Sequence, residues 1–144
     1  MQAQRNFSVE TANALLPMVR EAFAEVRPLH QRMVEVSAEM RARGFVPAMR
    51  PGAQVEAAAS AWQSEIEALA ARIDGLLRPL TELGVEIKAV DGLVDFPSQH
   101  HGRTVLLCWH WDEPAIGWFH ELDTGLAGRR KIEEPSAFEG DLLN

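Results

Sequence analysis

Apolar residues in the first third of the chain recur at alternate steps of three and four. Val9, Ala12, Leu16, Val19, Phe23 and Val26 are followed by His30, Met33, Ser37 and Met40, with Leu15, Ala22, Leu29 and Val36 widening the stripe. This spacing places them on one face of a helix. Ser8 and Glu10 form a helix start, a hydroxyl for an orphan N–H and an acid at the positive end of the dipole. Gly44 is a natural stop, so a helix is predicted over 8–43, with bends at Pro17 and Pro28 where a backbone donor is missing. Pro47, Pro51 and Gly52 make 44–52 a connection. A second stripe, Val55, Ala59, Trp62, Ile66, Leu69, Ile73, Leu76, Leu80 and Leu83, predicts a helix over 53–83 that bends at Pro79 and ends at Gly84. Two near-heptad seams and a short connection predict an antiparallel helical hairpin with a shallow crossing angle. At ~1.5 Å per residue it is on the order of 45 Å long, more than a small sheet covers. The apolar surface left over predicts a homodimer through the hairpin, with four-helix character.

After Gly84 the period becomes two. Residues 85–88 read as a strand, Asp91-Gly92 as a hairpin turn, and 93–96 as a return strand ended by Pro97, with 98–102 a loop. Residues 103–111 carry the longest strand signal; Val105, Leu107, Trp109 and Trp111 alternate with Thr104, Leu106, Cys108 and His110. Both faces are largely apolar, so this strand is expected to be central. Asp112-Glu113-Pro114 turns the chain into a further strand over 115–122, and 123–144 reads as a Gly-rich loop and an acidic tail. The expected fold class is α+β, a single domain over 1–144 with the hairpin followed by a small antiparallel β-meander of about four strands, 85–122.

A chain of 144 residues, 47% hydrophobic and 24% charged, is of ordinary globular composition. At this size roughly 68–70% of the unfolded surface is buried, so neither a disulfide nor a structural metal is required. The net charge of −7 repels phosphate backbones, and the basic run at 129–131 is short and followed by Glu133 and Glu134, so no nucleic-acid partner is expected. Cys108 is the single cysteine, residues 1–6 are polar with no apolar signal core after them, and no apolar run approaches the ~20 residues of a membrane span. A cytoplasmic location without membrane association is the expectation.

The strings GLVDFP at 92–97, GRTVLLCWHWDEP at 102–114 and GWFHELDTGLAGR at 117–129, together with FSVETANALLP at 7–17, resemble the bacterial domain of unknown function 2203 family. The resemblance covers roughly residues 7–132. It implies a functional surface around the meander and the loop after it, at Asp95, Cys108, Trp109, Glu113, His120, Glu121, Gly125 and Arg129. That family carries an acid three residues after the helix cap, where this chain has Thr11, which puts the capping box in question.

Cys108, His110 and His120 are the candidate metal ligands, for a thiolate and two imidazoles supply three of the four donors of a tetrahedral zinc site, and iron is the other candidate ion. Cys108 and His110 share a strand face. If 110 pairs with 118, then 108 pairs with 120 and all three converge; if 111 pairs with 116, His120 goes to the opposite face. The plainer reading is a small buried Cys with packed or exposed histidines. The candidate ligand-binding set is Asp95, Trp109, Glu113, Trp118, His120, Glu121 and Arg129, carboxylates and a histidine for acid–base work and an arginine for an anion; a salt bridge from Arg129 to one carboxylate is its plainer reading. Trp62, Trp109, Trp111 and Trp118 are candidates to wall a pocket between meander and hairpin, or are core anchors. His30 falls in the first helical seam, and His100-His101 in a turn.

Assembly signals outweigh catalytic ones. The expected function is a self-associating module that binds a ligand or partner on its meander; the alternative is a small metal-dependent enzyme of hydrolase type with Cys108, His110 and His120 as ligands and Glu121 or Glu113 as base.

Overall fold

A computed structural model describes residues 5–44 and 57–141. Helix α1 (Val9–Ala42) runs unbroken through Pro17 and Pro28, and α2 (Ala57–Glu82) runs through Pro79. The expected connection beyond Gly44, the expected start of the second helix and Val55 lie outside the described residues. Thr11 closes the capping box in place of an acid. Its backbone N–H donates to Ser8 Oγ (3.0 Å) while its own Oγ1 accepts from Ser8 N (2.9 Å), so two orphan donors are satisfied reciprocally.

The switch of period at Gly84 is the boundary between layers. Beyond it lie β1 (Glu86–Ala89), β2 (Leu93–His100), β3 (Arg103–His110), β4 (Trp118–Glu121), β5 (Arg130–Lys131) and β6 (Phe138–Glu139), all in one sheet. Its order is β1-β2-β3-β4-β5, with β6 pairing the far end of β2, and every pair is antiparallel. The architecture is α+β as expected, with β3 central, but the described residues form six strands rather than about four. Segment 123–144 is not all loop and tail, for it supplies β5, followed by the buried Ile132, and β6, which begins with the buried Phe138.

Pro97 does not end a strand. It lies inside β2 opposite Leu106, and its carbonyl accepts from Phe7 N (2.6 Å) on the edge away from β3. The missing N–H therefore faces the edge where β1 has already stopped at Glu86 and breaks no ladder bond. The strand continues to His100, and His101-Gly102, both at positive φ (51° and 78°), make a two-residue turn into β3. At the other hairpin Gly92 has φ 122°, and a Cβ there would stand 2.6 Å from Trp111 Cβ. Only glycine fits that approach.

Alternation divides the sheet. Val94, Phe96, Val105, Leu107, Trp109 and Phe119 face the helices and form one core with Phe7, Val9, Ala12, Leu16, Val19, Phe23 and Val26 of the N-terminal segment and α1, and Ile73, Leu77 and Leu80 of α2. Asn13 and Arg20 fasten α1 to the β3–β4 connection through Ile116 N and the carbonyls of Glu113 and Pro114. The core shared with the sheet ends before the hairpin does, with Leu29 and Met33 packed against its edge. On the distal half Val36 and Met40 are fully buried, whereas Trp62, Ile66 and Leu69 are half-buried, Val34 is exposed, and Arg32 is tied to Glu65 at 2.7 Å.

Candidate metal centre on the outer face of the sheet

Asp95, Cys108 and His120 belong to the face of the sheet turned away from the helices. Asp95 of β2 pairs directly with Cys108 of β3; His120 of β4 pairs with Leu106, one diagonal step from Cys108. The register of β3 with β4 is thus neither of the two alternatives, and is displaced by two residues from the one that joins 108 with 120. Because the displacement is even, His120 keeps the face of Cys108. All three side chains are buried, and one ligand atom from each, carboxylate O, Sγ and imidazole N, lies within 4.8 Å of the others.

The hydrogen bonds define the proton inventory. His120 Nδ1 is 2.8 Å from the carbonyl of Glu121, which can only accept, so Nδ1 carries a hydrogen. The other ring nitrogen, Nε2, is 3.1 Å from Asp95 Oδ2, and one proton is shared across that contact. Asp95 Oδ1 is buried without a hydrogen-bond partner. Burial pushes the Asp95 carboxyl above the usual carboxylate range against the opposing pull of His120. Burial, and then the neighbouring Asp95, push the Cys108 thiol up to about 12. An unassisted Cys108 is therefore a thiol at neutral pH, not a nucleophile.

The donor set fits a transition-metal ion. A His that donates Nδ1–H to a backbone carbonyl presents Nε2 for coordination, the orienting bond typical of metal-bound imidazole. The bare Asp95 Oδ1 offers a second donor. A cation in contact with Sγ would favour the thiolate that burial otherwise suppresses. Tetrahedral zinc holds such donors roughly 3.3–3.8 Å apart, so closure onto an ion draws these in by about 1.5 Å at most. Beside the three residues lies a cavity of about 220 Å³, walled further by Leu93, Leu106, Leu122, Gly125 and Leu126, with Lys88 as its one cationic group.

His110 is not in this cluster. Although it shares the face of Cys108, it sits at the end of β3, half-exposed, with Nδ1 2.6 Å from Asp112 Oδ1. Asp95 occupies the place expected of it. The ligand-binding set divides in the same way. Arg129 Nη2 lies 2.9 Å from both carboxylate oxygens of Glu113, whose Oε1 also accepts from His110 N, and the guanidinium covers the Trp118 ring at 4.9 Å. Glu121 pairs with Arg130 (3.2 Å) and Arg103 (3.6 Å). Glu113, Glu121, Trp118 and Arg129 do not line the cavity.

Trp109 lies on the other side of the sheet, fully buried, with Nε1 donating to the Glu113 carbonyl (2.9 Å). The tryptophans do not wall one pocket. Trp109 and Trp111 meet at 6.4 Å, Trp118 is on the opposite face, and Trp62 lies on the distal part of α2 under Arg43. His30 is half-buried on α1, and His100 stacks on Phe138 at 4.3 Å. Sequence reasoning had not singled out Lys88, Leu122 or Leu126, since an isolated lysine and two leucines after a strand carry no pattern.

The fold and this cluster define a class: an α+β protein with a helical hairpin behind one face of its sheet and a buried Asp–Cys–His group on the other. The chain belongs to the family described as Uncharacterized conserved protein (DUF2203), whose model matches residues 5–132. Comparison with curated proteins and with solved structures gives no match. Among the described residues no helix is long and apolar enough to cross a membrane.

Proposed function

We propose that this protein is a metal-dependent binding module, in which Asp95, Cys108 and His120 hold one zinc or ferrous ion and leave a coordination position open to the adjoining cavity. The observation that carries the reading is the convergence of three chemically different, buried ligand atoms within 4.8 Å. Oxygen-preferring magnesium or calcium is disfavoured by a site containing sulfur and imidazole. Binding is favoured over hydrolysis because Glu113 and Glu121, the carboxylates considered as bases, are tied to arginines and do not line the cavity.

The test is metal content after zinc reconstitution and dialysis against a weak chelator. Wild type and His110→Ala retain about one ion per chain, whereas Cys108→Ser, Asp95→Asn and His120→Ala lose it. Wild-type protein without stoichiometric zinc overturns the reading. The module also self-associates: the apolar surface that the distal half leaves uncovered, half-buried Trp62, Ile66 and Leu69 with exposed Val34, is covered by a second copy, since the near-heptad spacing continues past the core shared with the sheet.

A further inference from the structure

We infer that the cavity beside the Asp95–Cys108–His120 cluster binds a small carboxylate with a short apolar body, its head at the open metal position and beside Lys88, its body among Leu93, Leu106, Leu122 and Leu126. This rests on the metal reading above and adds the class of ligand. Three observations converge.

The first is size. The cavity is about 220 Å³, and an aliphatic cavity of about 150 Å³ already accepts benzene, so a body of roughly six to ten non-hydrogen atoms fits. The second is the wall. Apart from the metal-binding group and Lys88, it consists of leucines and Gly125. Leu122 and Leu126 are 61% and 50% exposed, so an apolar guest against them removes carbon surface from water. The third is charge. A divalent ion with one thiolate, one carboxylate and a neutral imidazole sums to zero, which leaves Lys88 as the charged group of the lining. Its present partner Glu86 (2.9 Å) does not line the cavity, so the ammonium can be shared with a guest. A carboxylate head answers both cations.

The experiment uses the full chain loaded with cobalt(II), whose visible and thiolate charge-transfer bands report coordination at this site. Acetate, butyrate, hexanoate and octanoate are titrated, with hexanol as the uncharged control. Affinity is expected to rise about three- to fourfold per methylene until the cavity is filled, with the cobalt bands shifting as the head enters. Leu126→Asn brings hexanoate down toward acetate without moving the bands of the unliganded cobalt protein. Lys88→Met weakens hexanoate by about tenfold and leaves hexanol within about twofold, as loss of one charged contact requires. Cobalt bands that ignore carboxylates, or affinities that do not depend on chain length, overturn the inference and leave the metal centre standing. Absence of the cobalt–thiolate band overturns the metal reading and this inference together.

Discussion

Asp95→Asn is expected to stabilise the metal-free protein while abolishing its metal affinity. The Asp95 side chain is 3% exposed, Oδ1 is buried without a hydrogen-bond partner, Oδ2 faces His120 Nε2 at 3.1 Å, and the Cys108 thiol is the carboxyl's other polar neighbour. An unsatisfied buried polar atom costs about 1–3 kcal/mol, more when charged. Asparagine has the same shape and can donate Nδ2–H to His120 Nε2, but it still leaves one atom unpartnered. Its gain is therefore the charge component alone, about 1–2 kcal/mol. For 144 residues the unfolding entropy is roughly 0.3 kcal/mol/K, so the gain raises Tm by about 3–7 °C. The sign with pH follows from the direction of the shift. The folded carboxyl lies above its unfolded value, so its relative stability is fullest below the unfolded pKa near ~4 and is lost as pH rises through the folded value. The advantage of asparagine must accordingly be larger at pH 8 than at pH 4, near the unfolded pKa. Urea melts of both proteins without metal, at the two pH values, measure it. Adding zinc at about 100 times its Kd then stabilises wild type by about 2.7 kcal/mol and leaves the variant unmoved. An Asn variant that is less stable at pH 8, or a difference that ignores pH, refutes the claim that this carboxylate is kept for binding at the expense of stability.

The Cys108 thiol, pushed up to about 12, should react with iodoacetamide at pH 8 roughly a thousandfold more slowly in the folded metal-free protein than in denaturant; mass spectrometry that finds equal rates contradicts its burial. Gly92→Ala places a Cβ 2.6 Å from Trp111 Cβ at φ 122° and should cost about 3 kcal/mol, read as a lowered urea midpoint with an unchanged m-value. Glu113 and Arg129 are 18% and 22% exposed, so each alanine substitution should cost about 2 kcal/mol, below the value for a fully buried pair, and the double variant should recover at least about 1 kcal/mol of the sum; strict additivity would show that the pair is not coupled. Sedimentation at micromolar concentration should give the mass of two chains, and a single-chain mass rejects the hairpin dimer.

The two layers were legible because each buries one face with its own period. The stripe from Val9 to Val26 and the alternation from Val105 to Trp109 meet in one core, and neither period fits the other element. What the pattern did not carry was pairing over short or punctuated stretches. β5 and β6 are two residues each, too brief to show an alternation, and are held by Ile132 and Phe138 rather than by their own strand character.

Asp95 was visible as an acid near the meander but not as the partner of Cys108, and the reason is Pro97. A proline reads as a strand end, and ending β2 there turns 98–102 into a loop of undefined geometry. With the proline's missing donor on the edge away from β3, the strand reaches His100, and a two-residue turn at His101-Gly102 fixes the ladder. Counting back from that turn pairs 100 with 103 and therefore 95 with 108. The position of His120 has no such local ruler. Its connection from β3 is held both by β3, through His110 N and Trp109 Nε1 to Glu113, and by α1, through Asn13 to Ile116 and Arg20 to Glu113 and Pro114, so the displacement that puts Trp118 rather than His120 opposite Cys108 rests in part on packing against α1. The site thus depends on a local turn for one pair of ligands and on tertiary packing for the third, which is why two members of the group can be deduced from strand chemistry and the third requires the assembled fold.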